Sequence, residues 1–351
     1  MHLSKGRTIC LVAGFSYDGY GAEEKAGCGP LSGVMDGRRF AGLAECAGAE
    51  VREYYDQPVP GLSLGFPRKD RVLGEMKRFG NELGPDDVFV FYFAGHGLQS
   101  KDRDGDEEDA MDEQLLFVEP DGSRNALTDD DVATLLLAEF NKNTRVLFVT
   151  DACHSGTICD LGRPAFGARP ICNLAAARDA QTADDIGEGG AFTLSLLETI
   201  EQLVREGEEQ FSVIDVFNTC YGKYDDWQDA TQNFCFERSP RFDPDTFAWP
   251  LIPPKGWQID TVLDREVKVA GHVLRMPWKV RHWSVPHAHP QEAGPASAAT
   301  PGVSLPMQPP SPPKSPPVRQ VVSMPAVPNH SLPHTPMNLH AAVHSARVVK
   351  T

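Results

Sequence analysis

Two residues in this sequence can do covalent chemistry together: a cysteine and a histidine, each placed near glycine where an apolar run ends. Cys153 lies in Val149-Thr150-Asp151-Ala152-Cys153-His154-Ser155-Gly156, and His96 lies in Phe91-Tyr92-Phe93-Ala94-Gly95-His96-Gly97. The thiolate is the reactive form of cysteine, and a neighbouring imidazole can take its proton and return it to a leaving amine. Backbone N–H groups beside such glycines can approach the oxygen of an attacked carbonyl, and those of Gly97 and Cys153 are the candidate oxyanion donors. His154 is a rival base by adjacency alone, but successive residues leaving a strand point apart.

For His96 and Cys153 to meet, the runs before them must be neighbouring strands. Val88 to Phe93 and Val146 to Thr150 are continuous apolar, β-rich stretches bounded by small residues, the pattern of buried parallel strands. In an open α/β sheet the loops at the carboxyl ends of such strands share one crevice. Thr8 to Gly14 reads as a first strand, followed by a glycine-rich loop to Pro30, and Val51 to Tyr55 as a second. Helices are expected from Ser32, a candidate N-cap, and over Arg68 to Leu83, whose charges form a solvated face. Further helices are expected to about Asn141, from Gly189-Gly190 to about Val204, and from Ser212 to about Tyr221, with a strand near Asn173 to Ala177.

The two motifs resemble the histidine and cysteine motifs of the metacaspases, members of the caspase-like clan of cysteine peptidases. The resemblance runs from about Thr8 to Pro253, in the order of large then small subunit, with no N-terminal pro-region before the first strand. It implies a caspase-like, mostly parallel sheet flanked by helices over residues 1–285: about 8–165 large-subunit-like, about 170–253 small-subunit-like, and 257–285 an extension of one or two strands without a family counterpart. The caspase pattern Gln-Ala-Cys-x-Gly is absent, since Asp151 stands where it begins.

Specificity follows from acids near the nucleophile. Asp151 lies two residues before Cys153, at the expected pocket rim. Asp36, in the first turn of its helix, reads from pattern alone as a partner of the helix dipole, whereas the resemblance places it in the pocket for the residue before the cut bond. Two carboxylates in one cleft select a cationic side chain and repel an acidic one, so cleavage after Arg or Lys is expected. Ala94 stands where many metacaspases carry Ser, removing one hydroxyl contact. Self-cleavage is also expected, because Arg163, Arg169 and Arg178 follow the nucleophile.

The acid-rich stretch from Lys101 to Glu113 partly mimics an EF-hand loop, but its glycine falls two residues early and its flanks are not helical. Hard oxygen ligands gathered from several loops also suit calcium. The resemblance makes this specific, matching Asp112, Asp129, Asp130 and Asp160 to the family's calcium ligands. Asp129 to Asp131 would also interact favourably with the N-terminus of the helix they begin.

The formal charge of −16 over 351 residues argues against general nucleic-acid binding. Eight cysteines without close regular spacing favour a reducing compartment, here taken as cytoplasmic. No run reaches the ~18 apolar residues of a membrane span. Residues 286–351 hold about half of the prolines and read as a disordered tail with polyproline character, in which Pro309 to Lys314 has the form of a docking motif but reads better as inert tail. The reading is a calcium-dependent cysteine endopeptidase acting on protein or peptide substrates, with self-processing as a further expectation, and monomeric like its relatives. The competing reading is a silent caspase-fold interaction module that binds partners through its tail, and intact His96 and Cys153 oppose it.

Overall fold

A computed structural model describes residues 6–17, 30–57, 63–102, 105, 111–179, 181–185, 189–225 and 232–259, with the backbone of 267–269 and 272–274. The glycine-rich run before Pro30, most of the acidic stretch between Asp102 and Met111, and the proline-rich tail with its Pro309 to Lys314 motif lie outside them.

Strands β1 (Thr8–Gly14), β2 (Glu50–Tyr55), β3 (Val88–Ala94), β7 (Arg145–Asp151), β8 (Ile171–Ala175) and β9 (Cys235–Arg238) form one sheet in the order β2-β1-β3-β7-β8-β9. Every pairing in it is parallel except that of β8 with β9. All seven residues of β3 are buried, as befits a central strand covered on both faces.

The period of two divides its side chains between two cores. Phe89, Phe91 and Phe93 face one side with Val72, Met76 and Phe79 of helix α2 (Lys69–Glu82) and Val132 and Leu136 of helix α3 (Asp129–Glu139). Val90 and Tyr92 face the other, with Phe40 and Leu43 of helix α1 (Gly33–Cys46), Leu196 and Ile200 of helix α4 (Ala191–Glu206), and Val216 and Cys220 of helix α5 (Val213–Asp225). The result is a three-layer α/β fold of the expected class.

Between β3 and α3 the chain forms a second sheet not anticipated from sequence. Strands β4 (Gly97–Lys101), β5 (Met111–Val118) and β6 (Arg124–Thr128) are antiparallel in the order β4-β5-β6. Asp112 and Glu113 are buried within β5, so the charged letters of a strand hid its pattern. In the 257–285 extension, β10 (Val267–Val269) and β11 (His272–Leu274) pair antiparallel, matching the expectation of one or two strands.

Ser32 precedes α1 but does not cap it. Its backbone is not in the extended conformation of a capping residue, and its hydroxyl donates instead to Asp185. Thr128 does cap α3, its hydroxyl accepting from the Asp131 N–H at 3.1 Å.

The turn after β1 is held from below by Asp56, which is fully buried at the end of β2. Its carboxylate accepts the Ser16 N–H at 2.8 Å and the Tyr17 N–H at 2.6 Å. Burial pushes the Asp56 carboxyl up, and these N–H donors pull it part of the way back. Tyr17, fixed in this way with a positive φ of 57°, reaches across to the loop after β3. Asp56→Ala strips the carboxylate from both buried donors, at about 1–3 kcal/mol for each. The urea midpoint should therefore fall well below that of the parent, and an unchanged midpoint would contradict the role given to Asp56.

Candidate active site

The sheet order turns between β1 and β3, so the loops at the carboxyl ends of β1, β3 and β7 surround one crevice. His96 and Cys153 line the same pocket there, together with Asp36, Ala94 and Asp151. Every residue expected at the nucleophile and at the specificity site is therefore brought together.

The register that places His96 beside Cys153 is set by β3 and β7, with Ala94 opposite Asp151. The pairing continues beyond the strands, where the Gly95 N–H donates to the Asp151 carbonyl at 3.1 Å. Gly97 then packs so closely on the nucleophile's backbone that a Cβ there would lie 1.6 Å from the Cys153 carbonyl oxygen. Only glycine fits, which gives the sequence signal at Gly97 a steric cause.

His96 is positioned by Tyr17, a residue that sequence reasoning had passed over. The Tyr17 hydroxyl accepts from the His96 N–H at 2.8 Å and donates to the Leu116 carbonyl at 2.8 Å, and the two rings lie 4.7 Å apart. His154, the rival base, has a positive φ of 49° and contacts the Asp179 carbonyl through Nδ1. That contact directs its ring to the loop after β8.

Burial pushes the Cys153 thiol above its ordinary value. A hydrogen bond from the Ala183 N–H to Sγ at 3.3 Å opposes the rise, while the charges of Asp151 and Asp184 add to it. Burial thus favours the protonated thiol, whereas the thiolate is the reactive form of cysteine.

Asp151 sits deeper than the rim position expected of it, being only 8% exposed. Its Oδ2 accepts from Thr193 twice, from N–H at 3.0 Å and from the hydroxyl at 2.5 Å. Burial drives its pKa from 3.8 to about 6, against the pull of Thr193, with Asp185 adding to the rise. Asp36 is also buried and lies well above its ordinary value, first through burial and then through the charge of Asp151. Arg39 at 3.3 Å and the Gly190 N–H at 2.8 Å pull it back. Its first-turn place in α1 thus serves the pocket as well as the helix dipole. Gly190 is another steric glycine, since a Cβ there would lie 2.2 Å from the Asp151 carboxylate.

Beside the pocket, Asp112 of β5 and Asp129 and Asp130 of α3 offer carboxylate oxygens within 4.8 Å of one another. The fourth expected acid, Asp160, joins them through Arg163, whose guanidinium pairs with both Asp130 and Asp160. Asp129 accepts the Glu113 and Asp130 N–H groups, yet burial and the charges of Glu113 and Asp112 leave its pKa at about 7. A crowded set of hard oxygen donors whose protonation is so disturbed fits a divalent cation such as calcium. The cluster is linked to the nucleophile's loop, because Glu113 accepts from the Thr157 hydroxyl at 2.7 Å.

Of the arginines expected at self-cleavage sites, Arg163 is engaged by those acids and Arg169 donates to the carbonyls of Leu136, Leu137 and Phe140, while Arg178 is exposed. Ala183, Asp184 and Asp185 also line the pocket. Adjacent acids at 184 and 185 were the one sequence cue to that segment, and nothing in their spacing ties them to a site so far back along the chain.

Residues 56–162 match the family described as metacaspase, peptidase C14 domain. Metacaspase-1 of Kluyveromyces lactis is 35% identical over 160 residues, covering 44% of this chain and 35% of its own length. Metacaspase-2 of Trypanosoma brucei brucei is 30% identical over 157 residues, covering 44% of each. Among solved structures, caspase-1 from Spodoptera frugiperda aligns over 72% of this chain and 93% of its own at 11% identity, with a TM-score of 0.45. The chain thus spans less than half the length of these curated relatives. Both motifs lie inside the matched segment and their side chains line one pocket, so residues 56–162 are similar to a metacaspase peptidase C14 domain.

Proposed function

We propose that this protein is a calcium-dependent cysteine endopeptidase that cleaves after Arg or Lys. The observation that carries the reading is the lining of a single pocket by His96, Cys153, Asp36 and Asp151. His96 takes the Cys153 proton as sulfur attacks the scissile carbonyl, and the carbonyl oxygen collects the negative charge beside the backbone N–H groups of Gly97 and Cys153. As the tetrahedral intermediate collapses, the C–N bond breaks and His96 gives its proton to the departing amine. Water, deprotonated by His96, then cleaves the thioester and regenerates the thiol.

The cationic side chain before the cut bond lies against Asp36 and Asp151. By neutralising the charge of Asp151, it removes one of the influences that hold the thiol protonated. Asp112, Asp129 and Asp130 would hold calcium, with Asp160 as the fourth ligand once its contact with Arg163 is given up. Bound calcium would supply positive charge that draws these acid-bearing segments together. Arg178 is the preferred self-cleavage site of the three arginines, because the other two are engaged. No helix among the described residues is long and apolar enough to cross a membrane, and the cytoplasm is the proposed location. We take the protein to act as a monomer on protein substrates.

Fluorogenic peptides ending in Arg, Lys or Asp test this directly. With calcium the first two should be cut and the third left intact, and Cys153→Ala should lower the rate by about 10³-fold or more. Full activity in excess chelator would remove calcium from the account, and cleavage after Asp would overturn the pocket assignment.

Tyr17→Phe keeps the ring against His96 but removes the hydroxyl, and should lower kcat about fivefold with little change in KM, for a buried hydrogen bond of ~1 kcal/mol that orients the base. An unchanged kcat would show that the hydroxyl plays no part in placing it.

The Asp151 carboxyl also predicts a pH signature. Its pKa is raised in the folded state, so the native protein binds this proton more tightly than the unfolded chain, and stability falls as pH rises from 3.8 towards about 6. Asp151→Asn keeps an oxygen for Thr193 and has no such loss. Its Tm should exceed that of the parent at pH 8 and converge with it near pH 4, while cleavage after Arg is lost. A lower Tm than the parent at pH 8 would contradict this.

A further inference from the structure

The segment Gln181 to Asp185 crosses the pocket from outside the matched residues, and each end is tied down. The Gln181 carbonyl accepts from the His154 N–H at 3.0 Å, and its side chain accepts from the Asn233 N–H at 3.2 Å. Ala183 donates to the nucleophilic sulfur at 3.3 Å, and the Asp184 N–H donates to the Gln232 side chain at 2.5 Å. At the far end Asp185 bridges to Gly190 and receives both donors of Ser32, the N–H on Oδ2 at 2.6 Å and the hydroxyl on Oδ1 at 2.8 Å.

Both carboxylate oxygens of Asp185 are thus oriented by Ser32, just before α1 and four positions before Asp36. Unlike Asp36 and Asp151, Asp185 is exposed. Asp36 is closed off by Arg39, and Asp151 by Thr193. Of these three carboxylates Asp185 is the exposed one, where a cation entering from solvent arrives first.

We propose that Asp185 is a third specificity-determining carboxylate, which Ser32 holds at the pocket mouth to receive the guanidinium or ammonium group of the residue before the cut bond. This rests on the pocket being the seat of a cationic side chain, as proposed above. The charge of Asp185 also reaches both deeper acids, raising each of them, so the three act as one negative field. Because Asp185 attracts and holds the cation but does not touch the reacting atoms, its removal acts on binding.

The test is Asp185→Asn in the full chain, which preserves size and leaves an oxygen for Ser32. With Arg and Lys peptides, KM should rise about five- to tenfold and kcat stay within about twofold, as for loss of one solvent-accessible ion pair. Benzamidine, a lone amidinium that needs no peptide bond, should bind Cys153→Ala about five- to tenfold more tightly than Cys153→Ala combined with Asp185→Asn. The rate at which neutral iodoacetamide alkylates Cys153 should be the same with Asp or Asn at 185. An unchanged KM and an unchanged benzamidine affinity would overturn the proposal. So would a fall in kcat with altered alkylation, which would make Asp185 a strut for the segment over Cys153. If the parent cuts neither Arg nor Lys peptides, the cleavage reading fails, and the benzamidine titration still decides whether Asp185 receives a cation.

Discussion

Asp36 and Asp151 lie out of water in one pocket, next to a thiol that is most reactive when it too is negative. Three groups that each prefer to ionise in solvent are thus set where ionising any one of them raises the cost for another. Much of the surrounding structure answers that problem. Arg39 and the Gly190 N–H face Asp36, Thr193 gives two donors to Asp151, and Ala183 gives one to sulfur. The donors come from three parts of the chain, so the pocket can be completed only when α1, the loop after β8 and the start of α4 have all docked on the sheet.

The backbone solves a matching problem of space. Gly97 against the Cys153 carbonyl and Gly190 against the Asp151 carboxylate are approaches that any side chain would block. Tyr17 brings a further constraint, because its position depends on Asp56 one strand away. The histidine is therefore oriented by a relay running from the end of β2 through the turn after β1.

What could be read beforehand followed physical legibility. The runs Val88 to Phe93 and Val146 to Thr150 announced central strands because both their faces are buried, and the motifs at their ends announced the pocket. β5 did not announce itself, since Asp112 and Glu113 are buried acids, Glu113 bonded to Gln99 and Thr157, and so break the apolar pattern that strands show. Ser32 had a capping residue's identity and a different role, because a tertiary acceptor, Asp185, outcompeted the helix for its hydroxyl. Tyr17 and Asp185 were invisible for the same reason. Their partners are 79 and 153 positions away, and pairings at such range are set by the finished fold rather than by local spacing.

On the proposed reading, the electrostatic strain in the empty pocket has a consequence for the order of events. Burial and nearby acids push the thiol up, and a protonated thiol is a poor nucleophile. A bound arginine or lysine brings the one charge that relieves all the carboxylates together and lowers the cost of forming the thiolate beside them. Binding energy gained at the specificity site is then partly expressed as easier proton transfer from Cys153 to His96. A neutral side chain of the same size would fill the space and leave the sulfur as it was. Discrimination would therefore arise in the chemical step as well as in binding, which is how differential transition-state stabilisation raises selectivity beyond what ground-state affinity alone provides.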